Sequence, residues 1–211
     1  MLPTNIRQAH PHEEPCVTDS NQDVRLLMAQ VLLPVELGGT MVLYTQEIRG
    51  LLIDVDGVLV RGSKTVSGGP GFLQQLKDHG LPYLLVTNNS TLSKAGYVDK
   101  LTEFGYAVTR NHLYTAPQAL ADKLKSQGVR CVFFIGEDGL FEELTAVGLE
   151  VENQYKPGFK AEYVVIGGDR HIHYGKFDAA LQYYQQGAKL IAPNRDPHFP
   201  HHNRLKPGAA I

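Results

Sequence analysis

From residue 47 onward, apolar positions come in short unbroken runs separated by segments of helical period. Gly50–Val55 and Leu81–Thr87 are runs of strand length with little polar alternation, the pattern of strands buried on both faces. Arg130–Ile135, Glu162–Ile166 and Lys189–Ala192 read the same way, and His112–Thr115 is a shorter candidate. Between them, Gly71–His79 sets Phe72, Leu73 and Leu76 on one side of a helix that stops at Gly80. Further helices are predicted over Ser93–Phe104, Thr115–Gln127, Asp138–Val147 and Tyr174–Gln186. Thr115-Ala116-Pro117-Gln118 has the form of a capping box, with Thr115 as N-cap and Pro117 in the first turn. Strands alternating with helices predict an α/β fold with mostly parallel pairing.

Residues 1–46 break this pattern and read as an N-terminal extension. Met1–Asp23 mixes Pro, His, Glu and Asn without periodicity, as loops and disordered segments do. Val24–Leu37 is apolar enough for a short helix or strand before Gly38-Gly39 interrupts it. Met41 is one candidate for the natural start of the protein; a mobile tail is the rival reading.

Composition narrows the class. With 211 residues, 43% apolar and 20% charged, the chain can bury a core and is not a disordered segment. Twenty Lys and Arg against 22 Asp and Glu give a formal charge of −2, so no basic excess exists to grip nucleic acid or an anionic membrane. No apolar run approaches the roughly 18 residues of a membrane span, and the N-terminus lacks the basic-then-apolar order of a signal peptide. A cytoplasmic location is expected. Cys16 and Cys131 cannot build a disulfide scaffold or a four-thiolate zinc site. Cys131, inside an apolar run, is expected to be a buried free thiol.

The candidate chemistry sits at the ends of the first two buried runs. Asp54 and Asp56 are two residues apart, so an extended backbone sends both side chains to the same side. Gly57 lets the chain turn and lets backbone approach a ligand closely. Two carboxylates with turn amides suit one hard cation, most naturally Mg²⁺. One carboxylate can serve as nucleophile and the other as general acid and base. Taken alone, such a pair is more often a solvated acidic turn. Thr87-Asn88-Asn89-Ser90 at the end of the second run shifts the balance, because a hydroxyl and an amide there can donate to phosphoryl oxygens. Ser90 or Ser93 is expected to cap the next helix.

Asp54-Val55-Asp56-Gly57-Val58-Leu59 and Thr87-Asn88-Asn89-Ser90 resemble motifs I and II of the haloacid dehalogenase superfamily. The likeness is to its subfamily IIA, the NagD-like and para-nitrophenyl-phosphatase-like enzymes. Tyr114-Thr115-Ala116, Ile135-Gly136-Glu137-Asp138-Gly139-Leu140, Val164-Val165-Ile166-Gly167-Gly168-Asp169, Tyr174-Gly175-Lys176, Asn194-Arg195-Asp196 and Pro207-Gly208-Ala209 continue it in order, over about residues 48–211. The resemblance implies a Rossmann-like core over 47–114 and an inserted α/β cap over 115–211, which also begins the return to the core. It implies a Mg²⁺-dependent phosphatase in which Asp54 forms an aspartyl-phosphate and Asp56 protonates the leaving group, then activates water. Mg²⁺ would be held by the Asp54 carboxylate and the Asp56 backbone carbonyl, and the phosphoryl group by Thr87 and Asn88, with Gly57 and Asn89 beside them. A small phosphorylated metabolite is the implied partner, and a homodimer through the cap is a further expectation.

Two departures qualify this. The family's later motifs, a Lys in Gly-Lys-Pro and an acidic pair that completes the Mg²⁺ shell, have no clear counterpart before Ile211. Lys206-Pro207 imitates the first, yet the Gly208-Ala209 that follows aligns better with a segment preceding it. On this reading, residues 1–211 by themselves are expected to be poorly active or inactive. A catalytically incompetent fragment, or a binding and assembly module, is the alternative, and a phosphomutase on the same core is a third. Pro193 replaces a usual Thr, so Asn194 and Asp196 are expected to form a turn.

Nine His residues include the cluster His198, His201 and His202 and the pair His171 and His173, read as a solvated, Pro-rich cap loop in preference to a metal site. Of Tyr97, Tyr106, Tyr155, Tyr163, Tyr174, Tyr183 and Tyr184, most are expected to be core or half-buried cap residues. Gly167-Gly168-Asp169 lacks the remaining glycines of a dinucleotide fingerprint.

Overall fold

The computed structural model describes residues 31–37, 40–46, 49–201 and 204–208. The chain divides into two compact units at residues 48 and 49. In the first unit, β1 (Val31–Leu37) and β2 (Thr40–Gln46) form an antiparallel hairpin, with Val31 opposite Gln46 and Leu37 opposite Thr40. The apolar stretch expected to be helix or strand is therefore strand over its later part, and Met41 lies inside β2 opposite Glu36. The loop reading of Met1–Asp23 and the break at Gly38-Gly39 lie outside the described residues.

The second unit opens with the apolar run Leu51–Asp54 as β3. A small hairpin of β4 (Val60–Arg61) and β5 (Lys64–Thr65) follows, then α1 (Gly69–Asp78), β6 (Tyr83–Thr87), α2 (Lys94–Glu103) and β7 (Leu113–Thr115). The three longer-range strands pair in parallel, in the order β3-β6-β7. Tyr106 ties the hairpin to this layer: its buried hydroxyl donates to the Leu59 carbonyl at 2.6 Å and lies 3.0 Å from the Thr65 hydroxyl.

Thr115 ends β7 and caps α3 (Ala116–Ser126), accepting from the Gln118 N–H at 3.2 Å. Only half of the expected capping box forms, since buried Gln118 Oε1 has no partner. After α3 a second parallel sheet begins, built from β8 (Cys131–Ile135), β9 (Glu150–Glu152), β10 (Tyr163–Ile166) and β11 (Lys189–Ile191) in the order β11-β10-β8-β9. The pleat of β8 sends Val132 and Phe134 to a cluster with α3 and α4 (Asp138–Ala146), and Phe133 and Ile135 to a cluster with α5 (Tyr174–Gln185). Full burial on both faces explains why β8 reads as a continuous apolar run. The first sheet ends with β7 at Thr115, and the second begins with β8 at Cys131.

Some expectations need correction. Cys131 opens β8 and is half-exposed, with its thiol 3.7 Å from a Glu150 carboxylate oxygen. Tyr97, Tyr106 and Tyr183 are buried, but Tyr155, Tyr174 and Tyr184 are exposed. The segment read as a Pro-rich loop holds an antiparallel hairpin, β12 (His198–His201) with β13 (Arg204–Pro207). His171, His173 and His198 are exposed. No helix among the described residues is long and apolar enough to cross a membrane.

The two sheets meet at the loop that follows β6. Ser90, buried, accepts from the Gly168 N–H at 2.8 Å, and the Gly139 N–H reaches the Thr91 carbonyl at 3.4 Å. A Cβ at Gly139 would stand 2.4 Å from the Leu92 backbone, so only glycine permits this approach. Gly139→Ala is expected to cost about 1–3 kcal/mol by overpacking, read as a lower urea midpoint with an unchanged slope.

Candidate active site

Asp54 is the last residue of β3, opposite Val86 in the register, which sets it beside Thr87 at the end of β6. This is the carboxyl end of a parallel sheet, where open α/β folds bind ligands. Val55 between the two acids is fully buried, while Asp54 and Asp56 are exposed on the opposite side, as strand alternation requires. The Val55 N–H donates to Asp54 Oδ1 at 2.9 Å. Burial pushes the Asp54 carboxyl above its ordinary range; the Val55 bond opposes this and the like charge of Asp56 adds to it. The chain then turns at Gly57, whose φ of 101° favours glycine, and the Gly57 N–H closes the turn on the Val60 carbonyl at 2.7 Å.

Asp56 is held by three side chains. Its Oδ2 accepts from the Thr87 hydroxyl at 3.0 Å and from the Tyr97 hydroxyl at 2.9 Å. The two hydroxyls are 3.0 Å apart, so the three oxygens form a closed triangle. Lys100 Nζ approaches the other carboxylate oxygen, Oδ1, at 3.5 Å. Thr87 is 5% exposed and Tyr97 fully buried. Burial and the Asp56 charge push the Tyr97 hydroxyl far above its ordinary range, with the Thr87 bond pulling the other way. Tyr97 and Lys100 stand three residues apart on α2, on neighbouring turns of one face. Ser93 caps that helix, accepting from the Gly96 N–H at 3.2 Å.

The structure brings Asp54, Asp56 and Thr87 together at two neighbouring strand ends, with the turn at Gly57 following them. Asn88 and Asn89 follow in the same loop with other partners. Asn88 donates through its side-chain amide to Asp196, and its carbonyl accepts from Asn194 Nδ2 at 2.6 Å. Asn89 Oδ1 accepts from the Thr91 N–H and hydroxyl, both at 2.8 Å, which makes it a turn-former. The expected Asn194–Asp196 turn is present, with the Asp196 N–H on Asn194 Oδ1 at 3.2 Å, and both of its ends reach Asn88. Sequence reasoning missed Tyr97 and Lys100 as partners of Asp56. Their i, i+3 spacing on the helix after Thr87 was the available signal.

Asp54 and Asp56 offer only hard oxygen donors, the chemistry that suits Mg²⁺. The Asp56 carboxylate is tied to Thr87, Tyr97 and Lys100, so of the two side chains the Asp54 carboxylate is the one with oxygen left to offer a cation. Among the described residues, no cluster of three or more His, Cys, Asp or Glu side chains is placed to hold a metal. Mg²⁺ tolerates so sparse a protein shell when waters and substrate phosphate complete it.

Residues 51–150 match the family model of the haloacid dehalogenase-like hydrolases. The chain belongs to that family. Its relatives place it in the NagD-like, para-nitrophenyl-phosphatase-like branch. It is 35% identical over 161 residues to a 5′-nucleotidase of Bacillus subtilis, covering 76% of this chain and 61% of that protein. It is 34% identical to an acid sugar phosphatase of Staphylococcus epidermidis, covering 74% and 60%. Among solved structures, a p-nitrophenyl phosphatase from Archaeoglobus fulgidus matches with a TM-score of 0.69 at 32% identity, over 78% of this chain and 62% of that one. A glycerol phosphate phosphatase from Mycobacterium tuberculosis in complex with magnesium matches with a TM-score of 0.70 at 27% identity, over 78% and 49%. The chain thus spans about 60% of the length of these curated relatives.

The raised Asp54 carboxyl makes a stability prediction. A carboxyl whose folded-state pKa exceeds its unfolded value opposes folding once ionised, so the cost appears as pH rises above the unfolded value near 3.8 and is full above the folded one. Asp54→Asn is expected to melt higher than the parent protein at pH 7 in metal-free buffer. That advantage should vanish below about pH 3.8, as thermal melts across pH would show.

Proposed function

We propose that this protein hydrolyses small phosphate monoesters through an aspartyl-phosphate on Asp54. The observation that carries this reading is the junction of two strand ends, where Asp54 at the end of β3 and Asp56 just beyond it meet Thr87 of β6, with Asp56 and Thr87 3.0 Å apart. Phosphoryl transfer asks a protein mainly for positioning and charge neutralisation. In the first step an Asp54 oxygen bonds to phosphorus as the ester P–O bond breaks, and Asp56 gives its proton to the departing oxygen. In the second, Asp56 takes a proton from water, which attacks phosphorus and releases Asp54 and inorganic phosphate. Thr87 and Asn88 donate to the phosphoryl oxygens, which requires Asn88 to exchange its Asp196 partner for the substrate. The turn at Gly57 brings backbone N–H groups close to the same oxygens. A bound Mg²⁺ would neutralise phosphate charge beside Asp54. The second sheet, resting on the Ser90–Leu92 loop, is the element that selects the rest of the substrate. A cytoplasmic location belongs to the same proposal.

The test is release of inorganic phosphate from a panel of aryl, sugar and nucleotide monoesters, with the protein assayed in Mg²⁺ and in EDTA. Turnover, weak for residues 1–211 by themselves, is expected only with Mg²⁺, and Asp54→Asn should abolish it, as loss of a covalent nucleophile does. Full activity of Asp54→Asn would refute the reading.

Association of two copies through the second sheet is proposed from its surface. Tyr174, Phe177, Leu181 and Tyr184 are exposed along α5, and Leu190 is exposed on the edge strand β11. Exposed apolar groups in such number mark association surfaces. Sedimentation should find a dimer that Phe177→Glu with Leu181→Glu converts to monomer; a monomeric parent protein would sink the idea.

A further inference from the structure

Thr87 has one hydroxyl proton and two claims on it. In this structure the proton goes to Asp56 Oδ2 at 3.0 Å. When a phosphoryl group is bound, the same proton is needed by a phosphoryl oxygen, and a hydroxyl donates only once. Asp56 would then lose a restraint at the moment its orientation matters most. The triangle of oxygens contains the remedy. The Tyr97 hydroxyl stands 2.9 Å from Asp56 Oδ2, and its fully buried ring leaves it no solvent to turn toward. Lys100 cannot replace it, because a 3.5 Å contact between partly exposed groups fixes orientation poorly.

We propose that Tyr97 is the positioning residue of the acid–base step: it keeps hold of Asp56 Oδ2 while Thr87 turns to the substrate. The proposal rests on the phosphatase reading above. Its chemical consequence is a division of labour within one carboxyl group. Oδ2 is the anchored oxygen, occupied by the Tyr97 proton. The proton that Asp56 delivers therefore sits on Oδ1, and that O–H bond breaks as the leaving oxygen departs from phosphorus. In the second step Oδ1 recovers a proton from the attacking water. Tyr97 keeps its own proton throughout and touches neither substrate nor phosphorus.

Tyr97→Phe tests this, because it keeps the ring that fills the buried site and deletes only the hydroxyl. The parent and variant proteins would be assayed with Mg²⁺ on p-nitrophenyl phosphate, whose leaving group needs no proton, and on glycerol phosphate, whose alkoxide leaving group does. The reading is kcat/KM, which reports phosphoryl transfer to Asp54 and not the later hydrolysis. The expected result is a fall of about 30-fold on glycerol phosphate, within the range that general acid catalysis contributes, and of no more than about threefold on p-nitrophenyl phosphate. Circular dichroism should be unchanged. Equal losses on both esters would show a merely structural role, and no loss on either would show none; both overturn the proposal. If the parent protein turns over neither ester, the failure lies with the phosphatase reading or its substrates and not with Tyr97. Positioning is then judged from crystal structures of the two proteins with inorganic phosphate bound at Thr87, so that Thr87 no longer holds Asp56. One Asp56 rotamer in the parent and several in Tyr97→Phe would support it, and an unchanged carboxylate would overturn it.

Discussion

Two carboxylates two residues apart on a strand repel one another, and the site can exist only if the fold absorbs that repulsion. Asp54 ends β3 and Asp56 lies just beyond it on the same side, because Val55 between them is fully buried. The structure answers the two charges differently. Asp56 is wrapped by Thr87, Tyr97 and Lys100. Asp54 has one backbone N–H and remains raised by burial, with the like charge of Asp56 adding to it. One acid is tethered and the other is left available, which is the asymmetry that a nucleophile and an acid–base partner require.

That asymmetry depends on layers beyond the strand itself. The parallel register of β3 with β6 sets Asp54 opposite Val86 and so brings Thr87 alongside. The helix after β6 begins at its Ser93 cap and returns Tyr97 and Lys100 over the same acid. The intervening loop is clamped from another direction, by Gly168 on Ser90 and by the close approach of Gly139 to Leu92. The loop that carries Thr87 and Asn88 is therefore shared between the first sheet and the second. A shift of the second sheet would be felt at Thr87 and Asn88 without any change in the acids.

The long elements were legible because each carries a local signal. β8 reads as a strand from its unbroken apolar run, and α3 from Thr115 at its start and Gly128 after its end. The short pieces carry none. β9 has three residues and β4 and β5 two each, too few for alternation to show, and they exist through pairing alone. The β12–β13 hairpin hides behind Pro and His residues that favour loops in isolation. Which of the tyrosines would be exposed, Tyr155, Tyr174 and Tyr184, was not legible, because an aromatic side chain on a helix or loop does not reveal whether a partner surface covers it.

By itself the chain order determined the class of protein: alternating buried strands and helices, two acids at one strand end, and a hydroxyl–amide pair at the next. These are properties of short segments, where spacing dictates side-chain direction. Which partner each side chain keeps was decided only by the tertiary structure. Asn88 and Asp196 are 108 residues apart, and Asp56 and Tyr97 41 apart. No local periodicity encodes distances of that kind. They arise when the sheet closes its register and the helices pack down, and it is there that one aspartate becomes anchored while the other keeps a single backbone partner.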